Sequence, residues 1–232
     1  MANRLTFANT YKDYSFHRVV FSDEKMFRFR PGIRVGVWRK RGENRYSPKY
    51  RTKTTTKSEG VMVWCAMKYS GELIVRLCPK KVKAVDYQDI LSDSLDFIKG
   101  SRCVKHFPII WTTLGTLYPP LRATSRRVLY QQDGAPVHRA ATTTRWLRLH
   151  GAKQFNAGVW PAQSPDLNPI EHVWPVLARV IQGAVYTSRD SLWHAIQLAA
   201  SQVDPAYIRK LYDSMPRRLA ACIAAKGGHK KY

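Results

Sequence analysis

The stretch Trp160-Pro161-Ala162-Gln163-Ser164-Pro165-Asp166-Leu167-Asn168-Pro169-Ile170-Glu171-His172-Val173-Trp174 decides how this chain is read. Its centre is a helix start. Asn168 is a residue type that caps helices, Pro169 fits the first helical position, and Glu171 falls at the third. Glu171 is therefore expected in the first turn of a helix. Taken alone, it is equally half of a capping box. What it does depends on which other acids reach it.

Two acids upstream sit at comparable places. Arg127–Gln132 (RVLYQQ) reads as a strand aimed at Asp133, and Arg18–Asp23 (RVVFSD) as a buried strand ending at Asp23. Strand ends and helix starts converge at one edge of an α/β sheet, where ligand sites of such proteins lie. Three carboxylates crowded there repel one another and resist ionising. A pair of Mg²⁺ or Mn²⁺ ions relieves that repulsion, and oxygen-only ligands suit those ions rather than zinc. Each acid also has a plain structural reading. Asp23 would cap a turn, and Asp133-Gly134 is an ordinary turn dipeptide. Glu24 competes with Asp23, but strand alternation puts the two on opposite faces.

The rest of the chain supplies the frame. Lys25–Arg30 alternates and would pair with the first strand, Gly60–Lys68 reads as a buried strand, and Glu72–Leu77 would complete an antiparallel meander. Val85–Ile98 has helical spacing, Thr142–His150 is expected as a helix, and a short strand is expected before Trp160. From 169 onward the pattern is helical. The order predicts one mixed α/β domain over residues 1–232.

Charge points to the partner. The 232 residues carry 39 Lys and Arg against 16 Asp and Glu, a net +23. A basic surface of that size is the electrostatic footprint of nucleic-acid binding. It is densest in Trp38–Lys57, where Arg39, Lys40, Arg41, Arg45, Lys49, Arg51, Lys53 and Lys57 face a single acid, Glu43. With Tyr46 and Tyr50 interleaved, this segment is expected to contact phosphates as an extended loop over about 38–58. A second irregular stretch, about 99–127, holds no acid and contains Pro108, Pro119 and Pro120. No apolar run reaches the ~18 residues that span a bilayer, so no membrane partner is expected. Cys65, Cys78, Cys103 and Cys222 form no Cys-x-x-Cys pair. A cysteine zinc site is therefore not expected, and a reduced intracellular setting is.

In this order, Phe21-Ser22-Asp23-Glu24, Tyr46-Ser47-Pro48-Lys49-Tyr50, Gln131-Gln132-Asp133-Gly134-Ala135-Pro136-Val137-His138 and the Trp160–Trp174 string closely resemble the catalytic-domain motifs of the mariner superfamily of cut-and-paste DNA transposases. The ending Ser214-Met215-Pro216-Arg217-Arg218-Leu219, then Gly227-Gly228-His229, is similar to the end of such proteins. The resemblance implies an RNase H-like mixed sheet flanked by helices, with a basic clamp-like loop at the Trp38–Lys57 position. It implies a catalytic Asp23, Asp133 and Glu171 triad holding two Mg²⁺ or Mn²⁺ ions, with Asp23 bridging them. The implied chemistry is hydrolysis at transposon ends, then attack of the freed 3′-hydroxyl on target DNA. Double-stranded DNA, a homodimer assembled on it and a nuclear location follow from the same resemblance. His138, Asn168 and His172 are candidates to support the triad. Packing is as good a reading for His138, and a surface position is the plainer one for His172.

Three departures stand out. Between Asp133 and Glu171 lie 37 residues, which fits a variant of the family better than the commoner spacing. Only 22 residues precede Asp23, fewer than a compact module of roughly 50 residues requires. The helix-turn-helix modules of full-length relatives are therefore expected to be absent. Pro175 lies four residues after Glu171, where its ring would clash with that residue's carbonyl and kink the helix at a cost of ~3 kcal/mol. A decayed or domesticated DNA-binding copy, or another RNase H-like nuclease or integrase, are the alternative readings.

Overall fold

The computed structural model describes residues 1–28, 60–99, 128–184, 186 and 188–229. The expected basic loop, with Arg39, Lys40, Arg41, Arg45, Lys49, Arg51, Lys53 and Lys57, lies outside the described residues. So do Cys103 and residues 100–127 of the second irregular stretch.

Five strands form one sheet: β1 (Val19–Arg28), β2 (Gly60–Met67), β3 (Leu73–Cys78), β4 (Leu129–Gln131) and β5 (Lys153–Gln154). Their order is β3-β2-β1-β4-β5. The first three make the expected antiparallel meander, while β4 pairs parallel to β1 and β5 parallel to β4. The parallel half follows from its connections. A helical crossover joins β4 to β5, as a parallel pair requires. This mixed sheet with helices on both faces is the RNase H-like arrangement that the motifs imply.

One reading of the strands needs correction. Arg18–Asp23 and Lys25–Arg30 are not two paired strands; Val19–Arg28 is one, and it pairs along most of its length with β2. Apolar residues on both sides of Ser22-Asp23-Glu24 keep the alternation going, so no turn forms there. Asp23 therefore lies in mid-strand, opposite Cys65, and not at a strand end.

Alternation along β1 sends its side chains into two cores. Val19, Phe21 and Phe27 join Cys65, Trp174, Ile196, Tyr212 and Leu219 on one face. That face is covered by α1 (Ala2–Tyr11), α6 (Val173–Ile181), α7 (Arg189–Ser201), α8 (Pro205–Asp213) and α9 (Met215–Ala224). Val20 joins Trp64, Tyr87, Leu91, Tyr130 and Leu147 on the other. There α2 (Ala84–Ser92), α3 (Leu95–Lys99) and α5 (Ala141–Leu149) provide the cover, with the short α4 (Pro136–Arg139) beside them. At about 25 cal/mol per Å² of apolar surface, aromatics of this size dominate what holds each layer to the sheet. Ser94 and the turn at 93–94 split the expected helix over Val85–Ile98 into α2 and α3.

Pro175 also departs from expectation. The chain from Pro169 to His172 is a 3₁₀ turn, and α6 begins only at Val173. Pro175 is thus the third residue of α6, where a backbone N–H has no intrahelical acceptor to lose. The helix is not kinked at Glu171, because no α-helix runs through Glu171. Among the described residues, no helix is long and apolar enough to cross a membrane.

Candidate active site

Asp23, Asp133 and Glu171 line one cavity of about 310 Å³. Its wall is the Trp160–Asn168 loop. Each acid arrives from a different element, and each is held differently.

Asp23 projects from the middle of β1 toward α6, where the Trp174 indole Nε1–H donates to its Oδ2 at 3.0 Å. Burial pushes the Asp23 carboxyl up to about 7. The Trp174 bond opposes the rise, and the nearby charges of Glu171 and Glu24 add to it. The side chain is where a carboxylate is least content to be charged without a cation.

Glu171 is half-buried in the 3₁₀ turn. The cap is the one the sequence predicts: Asn168 Oδ1 accepts from the Ile170 N–H at 3.3 Å, with Pro169 at the first position. The other end of the Asn168 amide donates to the Ser22 carbonyl at 3.2 Å. Asn168 therefore ties the turn bearing Glu171 to the residue next to Asp23.

Asp133 follows β4 and begins a turn. Its Oδ1 accepts from the Ala135 N–H at 2.9 Å and lies 2.6 Å from His138 Nδ1. The His138 bond holds the Asp133 carboxyl below its ordinary value, against the effect of burial. His138 is itself buried, and its Nε2 lies 3.2 Å from Glu24 Oε1. That contact is an ion pair rather than an aligned hydrogen bond. Burial alone would lower the His138 pKa, but the two carboxylates raise it to about 9. The Tyr87 ring, 4.2 Å away between centroids, and a bond from Gln132 Nε2 to the His138 carbonyl complete the setting. Glu24 thus points to the opposite side of the sheet from Asp23, as alternation requires, and meets His138 there.

The other supporting candidate is placed apart. His172 is half-buried, does not line the cavity, and offers its backbone carbonyl to the Tyr207 hydroxyl at 3.1 Å. Sequence reasoning missed two contacts of the site: Trp174 on Asp23, and Glu24 on His138. The first was present in the string as a Trp three residues after Glu171, the spacing that puts two side chains on one side of a helical turn. The second joins β1 to α4, far apart in sequence, and had no local signal.

The donor set consists of oxygens, and the Asp23 carboxyl, raised first by burial and then by the charges of Glu171 and Glu24, is one that a cation would stabilise as a carboxylate. Both fit a hard divalent cation. Among the described residues, no three His, Cys, Asp or Glu side chains stand close enough to enclose a single ion. Mg²⁺ does not require that, since it is held by one or two carboxylates with the remaining positions taken by water and substrate phosphates.

The sheet order and its helical layers define an RNase H-like domain, and comparison with known proteins agrees. The family model for DDE superfamily endonucleases matches residues 18–192. The Tcb1 transposase of Caenorhabditis briggsae is 31% identical over 92% of this chain and 70% of its own length. The Tc3 transposase of Caenorhabditis elegans is 30% identical over 99% of this chain. The chain spans 62% of the length of that relative. Among solved structures, the Mos1 mariner transposase catalytic domain superposes with a TM-score of 0.69 at 20% identity, covering 99% of this chain and 95% of that one. A pre-cleavage Mos1 transpososome gives 0.73 at 20% identity, over 100% of this chain and 64% of that one. The chain belongs to the DDE superfamily endonucleases, in the Tc1/mariner transposase branch.

Proposed function

We propose that this chain is the DNA-cutting and DNA-joining part of a cut-and-paste transposase, with Asp23, Asp133 and Glu171 as its catalytic carboxylates. The observation that carries the reading is that the three acids of the family motifs, far apart in sequence, line one cavity. Asp23 and Glu171 would hold the first of two divalent cations and Asp133, with Asp23, the second. Bound there, such ions polarise a phosphodiester and lower the pKa of an attacking water or hydroxyl. Solved structures of the Mos1 catalytic domain with Mg and with Mn support the choice of metal.

The chain's own residues do the positioning. Trp174 fixes Asp23 Oδ2, and Asn168 fixes the Glu171 turn against β1. His138 and the Ala135 N–H both bind Oδ1 of Asp133, and neither of these bonds engages Oδ2. In the first step water attacks phosphorus at the transposon end and the 3′-oxygen leaves as a hydroxyl. In the second that hydroxyl attacks a target phosphodiester and expels the target's own 3′-oxygen. The basic segment 38–57 would grip DNA, two copies would assemble on paired ends, and the work would be done in the nucleus. The Mos1 paired-end complexes support assembly on transposon ends. One of the two grounds for reading a decayed copy, Pro175, loses its force, since Pro175 stands in the first turn of α6.

The test is Mn²⁺-dependent cleavage of DNA carrying mariner-type terminal repeats. Asp23→Asn, Asp133→Asn and Glu171→Gln should each abolish cutting while DNA binding is retained. Variants that all cut like the parent would overturn the assignment.

A further inference from the structure

Arg4 lies in α1, far from the cavity in sequence, yet its guanidinium is buried against the loop that walls the cavity. Its Nη1 and Nη2 donate to Oδ1 and Oδ2 of Asp166 at 2.8 and 2.6 Å, a two-pronged fork. The two side chains are 5% and 9% exposed. Arg4 Nε donates to the Gly227 carbonyl at 2.9 Å, which joins the end of the chain to the same knot. From α9, Arg218 Nη1 donates to the Asp166 backbone carbonyl at 2.9 Å. One turn along α1, Phe7 packs edge-on against Trp160 at 5.1 Å between centroids. Positions three apart share one helix side. A single side of α1 therefore grips both ends of the Trp160–Asn168 loop.

The loop's front has a different job. Trp160, Ser164 and Asn168 line the cavity with Asp23 and Glu171. A buried ion pair adds little net stability over a well-packed apolar pair, because both charges lose their hydration. What the fork supplies is direction: two parallel bonds fix the carboxylate in a plane, as an ammonium does not.

We infer that Arg4 is a positioning residue for the proposed DNA cleavage: by clamping Asp166 from behind, it sets the loop that carries Asn168 and Glu171 against Asp23. The inference rests on the functional reading above, and the experiment separates the two. Parent protein, Arg4→Lys and the double variant Arg4→Met/Asp166→Leu are compared for single-turnover Mn²⁺-dependent cleavage, for DNA half-saturation, and for amide hydrogen exchange. The double variant removes both charges of the fork together, so it should fold even where Arg4→Lys does not, although it also gives up the Arg4 bonds to the Gly227 and Gly228 carbonyls. A misplaced loop should slow cleavage by about ten- to a hundredfold, with DNA half-saturation changed by no more than about twofold. Exchange should rise in residues 160–171 and stay unchanged in β1 and β2.

Cleavage within about twofold of the parent in the folded variants overturns the inference. So does exchange that rises equally in β1 and β2, which marks a purely structural pair. If the parent itself does not cut DNA with Mn²⁺, the functional reading fails. The exchange comparison then still decides whether Arg4 sets the loop.

Discussion

At Asp23 a carboxyl group sits among too many negative neighbours. Burial raises its proton affinity most, the charges of Glu171 and Glu24 raise it further, and the Trp174 N–H only partly relieves it. The folded protein therefore holds a proton at Asp23 up to about pH 7, while the unfolded chain releases it near 4. Between those values the folded state binds more protons, so stability falls as pH rises. In the metal-free protein the melting temperature should drop across that window. Asp23→Asn, which has no proton to lose, should flatten the drop. A variant as steep as the parent would place the titration elsewhere. The sequence shows that such acids exist but not how they are shared. Asn168 and Glu171 were legible because a helix cap is written in neighbouring residues. The pairing of Glu24 with His138 was not, because it is made between β1 and α4, whose packing no short stretch encodes.

Pro175 shows the same limit at the scale of an element. The sequence reading let a helix run on from Pro169, so the ring had to collide with the Glu171 carbonyl. The structure instead closes a 3₁₀ turn first and starts α6 at Val173. Element type was legible and the boundary was not, because the Asn168 cap and Pro169 open a 3₁₀ turn as readily as an α-helix, and only Pro175 favours the later start. The consequence reverses the sign of a mutation. Pro175→Ala should not stabilise the protein; it should cost about 0.4–1 kcal/mol by loosening the unfolded chain. Urea unfolding with an unchanged m-value measures this. A gain of ~3 kcal/mol would restore the kinked helix. Similarly, β1 was read as two strands because polar Ser22, Asp23 and Glu24 interrupt its apolar run. They are polar because a site occupies mid-strand, not because the strand ends.

Across the whole molecule, the antiparallel meander and the mixed α/β order were legible from alternation and element sequence, the helices flanking the sheet came from the resemblance, and the parallel pairing of β4 with β1 and β5 with β4 was not read. The helix α1 was not, since its apolar positions are few and its burial depends on α9 and on Trp160. The surplus of +23 remains the strongest statement about a partner. With about six phosphate contacts, log K for DNA should fall with log salt at a slope of roughly −5.

The meeting of β1 and β2 bears on that charge. Arg28 and Gly60 are register partners, and Gly60 lies so close to the Phe27 carbonyl that a side-chain carbon there would come within 2.1 Å of it. Arg28 and Gly60 thus stand side by side at the last described pair of β1 and β2. Residues 29–59, which carry all eight cations of the basic run, should therefore behave as an excisable cassette. An Asn-Gly pair, the preferred two-residue hairpin turn, should replace them without shifting the register. The shortened protein should melt as a cooperative unit and bind DNA with a visibly shallower salt slope. Failure to fold, or an unchanged slope, would refute the separation. If it holds, the grip on DNA can drift in length and composition from one descendant to the next, while selection on folding acts only on the two residues where the cassette is spliced in.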